Sequence, residues 1–311
     1  MDSKLLLRSL AIGLDDSKTI AQRRKEVYSD IPTEELADSE NLRKAEETLK
    51  WLSLNKDCGI WWCTDRSYPD YSPVEKRIPY MMFYRGKKPE QKQKRMAVLG
   101  TRHCDYYGLQ TAYTLGLEAS LNGFCVVTGL AEGCDQAATR GALDAFCLTD
   151  KAKPVYTLLG CGLEIDYPKF SNELKKRTIR NGGAVISRFL PFEEPLKHHF
   201  PDRNVSVAAM SDIVVAVQAP EKSGTLLTCD FALQMGKDVY VSSEGIGENT
   251  CRTGSNKLAF EGAGIINSVC ELQGYGLKAV RVKTEEEGCL RFGSRYYSIQ
   301  MKNNNENDNE Y

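Results

Sequence analysis

A doubly wound α/β fold, with a mostly parallel sheet and a small helical domain in front of it, is what this sequence predicts, on three observations. Short apolar runs at 96–99, 125–128, 155–159, 184–187, 213–218 and 238–242 read as strands. They are apolar throughout rather than alternating, as strands covered on both faces must be. Helical stretches of roughly ten or more residues separate them, the length a parallel crossover needs. Several strands end in glycine beside a hydroxyl or basic residue, the punctuation at which a strand hands over to a helix N-terminus. The architecture is Rossmann-like, so ligands are expected outside the carboxyl ends of the strands.

Residues 1–58 read as the helical domain. Thr33 is placed to cap one helix and Asp38 or Ser39 another; Leu42, Ala45, Leu49 and Leu52 make an apolar stripe at helical spacing, and Gly59 ends the pattern. Residues 59–95 form a strand-containing connector: Ile60–Thr64 and Pro79–Gly86 read as strands, and the charged run Lys87–Arg95 as a domain boundary. The core domain spans 96–275, with a helix expected at 203–210. An extension, 276–302, has the pattern of one more strand or hairpin, and 303–311 reads as a disordered polar tail.

Apolar residues make up 41% of the chain and charged residues 27%, proportions typical of a soluble globular protein. No apolar run approaches the ~18 residues of a membrane span. The first residues lack the apolar core and cleavage site of a signal peptide, so a cytoplasmic location is expected. The eleven cysteines contain no C-x-x-C pair, and His103, His198 and His199 are not spaced like zinc ligands. Cysteines such as Cys125 and Cys161 are expected as reduced, buried thiols, with no metal and no cofactor. A net charge of −1 excludes a surface coated in basic residues, so any nucleic acid must be held by a local patch.

Four loops converge on the expected binding edge: Gly100-Thr101-Arg102; Gly129 to Asp135, including Gly133; Gly160-Cys161-Gly162 with Asp166–Lys169; and Lys222-Ser223-Gly224-Thr225. One glycine at a strand end is only a turn former. Four in succession, two with a basic residue and two with hydroxyls, read as phosphate sites. Ser223 or Thr225 caps the helix that follows, which leaves the other hydroxyl for a phosphate. Neither a P-loop nor a G-x-G-x-x-G fingerprint is present, which counts against a nicotinamide or flavin. Glu132 and Asp135 fit either a catalytic carboxylate pair or, the preferred reading, acids that stabilise a helix start. His198 and His199 read as loop residues with no acid placed to orient them, so no triad is visible. Arg203 and Asn204 open a helix, Arg203 as a surface charge or a phosphate contact. Tyr106, Tyr107, Tyr167 and Phe200 either stack on bases or cap the core.

From about Ser39 to Leu272 the chain resembles the DNA-processing protein A family, also called DprA or Smf. The resemblance runs through Gly100-Thr101-Arg102 with Tyr107-Gly108, and Thr128-Gly129-Leu130-Ala131-Glu132-Gly133-Cys134-Asp135 with Arg140-Gly141-Ala142-Leu143. It continues through Leu159-Gly160-Cys161-Gly162, Tyr167-Pro168, Arg203-Asn204, Ser211-Asp212, Ser223-Gly224-Thr225-Leu226 and Gly254-Ser255-Asn256. The resemblance implies a homodimeric protein that binds single-stranded DNA and brings a RecA-like recombinase onto it during natural transformation, without breaking a bond. It makes Arg102, Lys169, Arg203 and Lys222 phosphate contacts, with Thr101, Asn204, Ser223 and Thr225 beside them. The glycines Gly100, Gly129, Gly133, Gly160, Gly162 and Gly224 supply backbone donors. The chain departs from the family pattern in three places. Val205 replaces a basic residue, which predicts weaker DNA contact there. Glu244 puts an acid near the site, and too few residues follow Leu272 for a winged-helix domain. Two alternatives remain. One is a nucleotide hydrolase of the phosphoribohydrolase type, with Glu132 or Asp135 as acid or base. The other is a scaffold whose role is protein contact.

Overall fold

The computed structural model describes residues 3–74 and 77–272, together with the strand backbone of 281–283, 290–292 and 295–300. One nine-stranded sheet organises the molecule. Its strands are β1 (Cys58–Trp62), β2 (Met81–Gly86), β3 (Arg95–Leu99), β4 (Cys125–Thr128), β5 (Val155–Leu159), β6 (Ala184–Ser187), β7 (Ile213–Ala216), β8 (Asp238–Ser242) and β9 (Gly264–Ile266). Their order is β1-β2-β6-β5-β4-β3-β7-β8-β9. Pairing is parallel from β6 across to β9. The β1–β2 hairpin joins antiparallel at the β6 edge. The six expected strands all form, and the stretch 59–95 adds its two strands to the same sheet.

The winding fixes where a ligand fits. From β3 the chain steps outward through β4, β5 and β6, then returns to the other side of β3 as β7 and steps away through β8 and β9. The carboxyl ends of β3 and β7 therefore flank a crevice from which the two halves diverge, the switch point at which such sheets bind.

Alternate residues of the strands fill the two faces. Met96, Val98 and Val126 pack on the side of α5 (Tyr106–Leu121) and α6 (Cys134–Asp144). Ala97, Leu99, Val127 and Leu158 pack on the side of α8 (His199–Met210) and α9 (Gly224–Gln234). Helices α7 (Asn172–Arg180) and α10 (Thr253–Phe260) complete the layers. Helix α8 begins four residues before the expected 203, because Pro201 lies in its first turn, where no backbone N–H is required. None of the ten cysteines among the described residues is in a disulfide.

In front of the sheet stand α1 (Ser3–Gly13), α2 (Ile20–Val27), α3 (Thr33–Leu36) and α4 (Ser39–Leu54). Asp38 caps α4, its carboxylate accepting from the Asn41 N–H at 2.7 Å. Thr33 is no cap: it is the first residue of α3, behind Pro32. Nor does Gly59 end α4, which stops at Asn55; Gly59 lies in β1, where a Cβ would run into the Tyr84 ring. The expected stripe holds, with Ala45 fully buried and Leu42, Leu49 and Leu52 packed around it. Trp51 Nε1 and Arg85 both donate to Glu164 Oε1, at 2.7 and 2.6 Å, and tie α4 to the core.

Helices α5 and α6 touch through glycine. A Cβ on Gly116 would meet the Ala138 carbonyl, and one on Gly141 the Tyr113 carbonyl. Because each obstacle is backbone, Gly141→Ala forces the helices apart. It is expected to cost about 1–3 kcal/mol, read as a lower urea midpoint at unchanged slope; an unchanged midpoint would contradict the close packing.

Strands β10 (Arg281–Lys283), β11 (Leu290–Phe292) and β12 (Arg295–Gln300) form a separate antiparallel sheet in the order β10-β12-β11, one strand more than a hairpin in the expected extension. The expected polar tail, 303–311, lies outside the described residues. Among the described residues no helix is long and apolar enough to cross a membrane.

Candidate nucleic-acid interface

At the switch point the loops after β3 and β4 are braced by one carboxylate. Asp135, in the first turn of α6 and 4% exposed, accepts from the Gly100 N–H through Oδ1 (3.3 Å) and from the Gly129 N–H through Oδ2 (2.9 Å). It does not cap its own helix, as a carboxylate at a helix start commonly does. The N-cap is Gly133, at φ +80°, with no side-chain bond. Burial pushes the Asp135 carboxyl above the usual carboxylate range; the charge of Arg203 and the backbone N–H groups of Gly100, Gly129 and Ala131 pull against it. Glu132 is exposed and lines the neighbouring cavity.

Arg203, in α8, is 7% exposed. Its guanidinium lies over Gly129, where a Cβ would occupy the same space, and donates to the Leu158 carbonyl at 3.3 Å. Its Nε has no partner, and among the described residues no carboxylate stands within ion-pair distance. Burial lowers its pKa from the usual arginine value; Asp135 opposes that shift and Arg102 adds to it. An arginine nevertheless keeps its proton at any ordinary pH.

Arg102 is exposed and places its guanidinium 5.4 Å from the centroid of the Phe200 ring. Phe200 fits where Gly160 leaves room, since a Cβ there would come within 2.9 Å of the ring, and it meets Tyr167 at 5.6 Å. A cavity of about 60 Å³ lies among Arg102, Gly129, Gly160, Tyr167, Phe200 and Arg203. A second, of about 370 Å³, opens towards Gly100, Thr101, Asn204, Ser223, Gly224 and Thr225. Arg102, Phe200 and Arg203 line both, so the two adjoin. Ser223 is the cap of α9, accepting from the Leu226 N–H at 3.3 Å, and Thr225 is left facing the cavity.

Ten of the fourteen residues singled out in the sequence thus line this crevice of two adjoining cavities: Gly100, Thr101, Arg102, Gly129, Gly160, Arg203, Asn204, Ser223, Gly224 and Thr225. Four do not. Gly133 turns the chain at φ +80° against the Thr101 carbonyl, and Gly162 packs on the backbone of Leu190 and Pro191. Lys169 and Lys222 are exposed beside the crevice without lining it, Lys222 in a left-handed conformation at φ +60°.

Two of the family departures have no bearing on the crevice. Val205 is fully buried between α8 and the sheet, so a basic side chain at 205 would point into the core and not at a ligand. Glu244 lies outside the crevice with its carboxylate 3.8 Å from Arg252, which also holds Asp105 at 2.7 Å. The histidines lie at the start of α8 and not in a loop, and His199 does have an acid: Glu193 stands 3.3 Å from Nε2. Nδ1 accepts from the Leu196 N–H, so the neutral ring donates from Nε2. Stacked on Phe189 at 3.8 Å and 3% exposed, His199 anchors the helix start that carries Phe200. Tyr106 and Tyr107 are exposed on α5, outside both cavities.

Gln218 was not foreseen. It is fully buried after β7, donates to Asp105 Oδ1 (2.9 Å) and to the Glu244 carbonyl (3.1 Å), and accepts from the Asp105 N–H (3.2 Å). Its carbonyl receives the Thr101 N–H at 2.7 Å, and its side-chain amide occupies the space a Cβ on Gly108 would need. One glutamine therefore holds the two sides of the switch point together.

Residues 59–274 match the family model of DNA recombination-mediator protein A. Among curated proteins, the DNA processing protein DprA of Streptococcus pneumoniae is 32% identical over 233 residues, 74% of this chain and 76% of that protein. Protein Smf of Escherichia coli is 28% identical over 241 residues, which cover 63% of its length. Among solved structures, that of DprA from S. pneumoniae superposes with a TM-score of 0.65 at 27% identity, covering 85% of this chain and 93% of that one. The structure of DprA from Helicobacter pylori, described for its single-stranded DNA binding mode, gives 0.56 at 25% identity over 67% of this chain and 90% of the other. The chain belongs to the DNA recombination-mediator protein A family.

Proposed function

We propose that this protein binds single-stranded DNA along the β3–β7 crevice, with backbone phosphates on Arg203 and Arg102, and that it acts there as a recombination mediator. The observation that carries this is Arg203: a buried guanidinium with an unpartnered Nε and no ion pair among the described residues, facing a cavity. A buried charge is costly unless an anion meets it, and a phosphate supplies both the charge and the missing acceptor. Arg102, its guanidinium over Phe200, and Tyr167 against that ring line the same cavity as Arg203, and cationic beside aromatic surface is the chemistry that holds a single strand. The H. pylori relative, described by its mode of binding single-stranded DNA, supports the same ligand. Family membership supports a homodimer that delivers a RecA-like recombinase to the bound strand. Of the two acids a nucleotide hydrolase would use, Asp135 is already engaged, both its oxygens accepting from backbone N–H groups.

The test is a competition titration. Labelled oligo-dT bound to the protein is challenged with unlabelled oligo-dT or with a duplex of equal phosphate content. Single strand should compete at least tenfold better, because a duplex keeps its bases stacked away from Phe200 and Tyr167. Equal competition would overturn the reading.

A further inference from the structure

Two residues past Pro168, which lines the crevice, stands an aromatic ring with nothing around it. Phe170 is 92% exposed and sits at φ +65°, a conformation that side-chain-bearing residues rarely adopt. The turn beneath it is firmly held: Ser171 is fully buried, and both its N–H and its hydroxyl donate to the Pro168 carbonyl, at 3.2 and 2.7 Å. A ring that costs the protein both exposed apolar area and an unfavourable backbone angle, on a braced turn, is poised to meet something.

We propose that Phe170 is a base-stacking residue that takes the base of the nucleotide next to the one held between Arg102, Phe200 and Tyr167. This rests on the reading of the crevice as a single-strand site. Pro168 and Phe170 are two residues apart, so their Cα atoms lie within about 7 Å. Tyr167 on the same loop already faces the cavity. Lys169, exposed between them, adds a positive charge to the same turn. Stacking on a bare ring is indifferent to base identity.

The experiment compares wild type with Phe170→Ala, Phe170→Leu and Phe170→Trp, and with Arg203→Lys, on oligo-dT and on an abasic oligomer of equal length. Phe170→Ala and Phe170→Leu should each weaken oligo-dT binding about tenfold. Phe170→Trp should bind as tightly as wild type, and abasic binding should not change. The log-affinity against log-salt slope should be the same in all three, because no phosphate contact is lost. If Phe170→Ala binds oligo-dT like wild type while Arg203→Lys does not, the stacking proposal fails and the crevice reading stands. If neither variant changes binding, the crevice reading itself fails. Sedimentation of Phe170→Ala completes the test: a changed oligomeric state with unchanged DNA affinity assigns the ring to contact between copies of the chain and overturns the proposal.

Discussion

Replacing Arg203 with Ala is expected to weaken binding to oligo-dT by ten- to a hundred-fold, corresponding to about 1.5–3 kcal/mol for a hydrogen bond to a charged group. The magnitude follows from depth. An exposed arginine on a DNA surface exchanges water for phosphate with little net gain, whereas Arg203 is 7% exposed and its Nε has no acceptor of its own. The phosphate therefore meets a cation that has already lost its water and is already fixed by the Leu158 carbonyl and the Gly129 backbone. Arg203→Lys separates charge from shape. It keeps the cation but loses the flat fork that fits over Gly129, and it should recover only a small part of the affinity. Gly129→Ala approaches the same question from the other side, since its Cβ would displace the guanidinium without touching its charge. Affinity of Arg203→Ala within twofold of wild type, with the variant folded, would remove this residue from the site.

Asp135→Ala is expected to destabilise the fold by about 3 kcal/mol, measured by urea unfolding. The buried Gly129 N–H and the half-buried Gly100 N–H lose their acceptor, the buried one at about 1–3 kcal/mol, and Arg203 loses the charge that offsets its burial. One term opposes this. Burial raises the folded-state pKa of the carboxyl, so its ionised form is disfavoured by folding at neutral pH. Asp135's own contribution is greatest below the unfolded carboxylate pKa and falls as pH rises through the raised folded value. The loss on substitution should therefore be larger at pH 4 than at pH 7. The sign separates the two roles read from the sequence. A carboxylate kept for catalysis is commonly held at a cost to stability, and its removal stabilises; a carboxylate that braces two loops destabilises when removed. A more stable Asp135→Ala protein would return the nucleotide-hydrolase reading to the front.

The parts of this molecule that were legible in the sequence are those set by short-range pattern. Continuous apolar runs gave the six core strands, because a strand buried on both faces has no polar positions. The sequence narrows two caps to Asp38 or Ser39 and to Ser223 or Thr225, and in the structure Asp38 and Ser223 accept from N–H groups three residues on. Gly100-Thr101-Arg102 was recognisable as a strand end, and it does line the crevice. What was not legible depends on direction and on distant partners. The spacing of Arg203 and Val205 does not reveal that one faces the crevice and the other the core until α8 is laid on the sheet. Lys169 and Lys222 carry the right charge but do not line the cavities. Asp135 looked like a helix-start acid, and only the approach of two loops, one of them 35 residues away in sequence, makes it a brace. Gln218 carries no local signal at all, since its partners Asp105 and Glu244 lie 113 and 26 residues off. Phe170 is the reverse case: the sequence shows only an aromatic after a lysine, and the structure shows that nothing covers it.

The central claim is that strand phosphates sit on this edge, and the rim arginine tests it with the least disturbance to the fold, because Arg102 is exposed and its guanidinium only overlies Phe200. Affinity for oligo-dT is measured at several salt concentrations for wild type and Arg102→Ala. In Arg102→Ala the log-affinity against log-salt line should become shallower by about 0.7, the release of one phosphate's counterion from a single strand. Two parallel lines would contradict it.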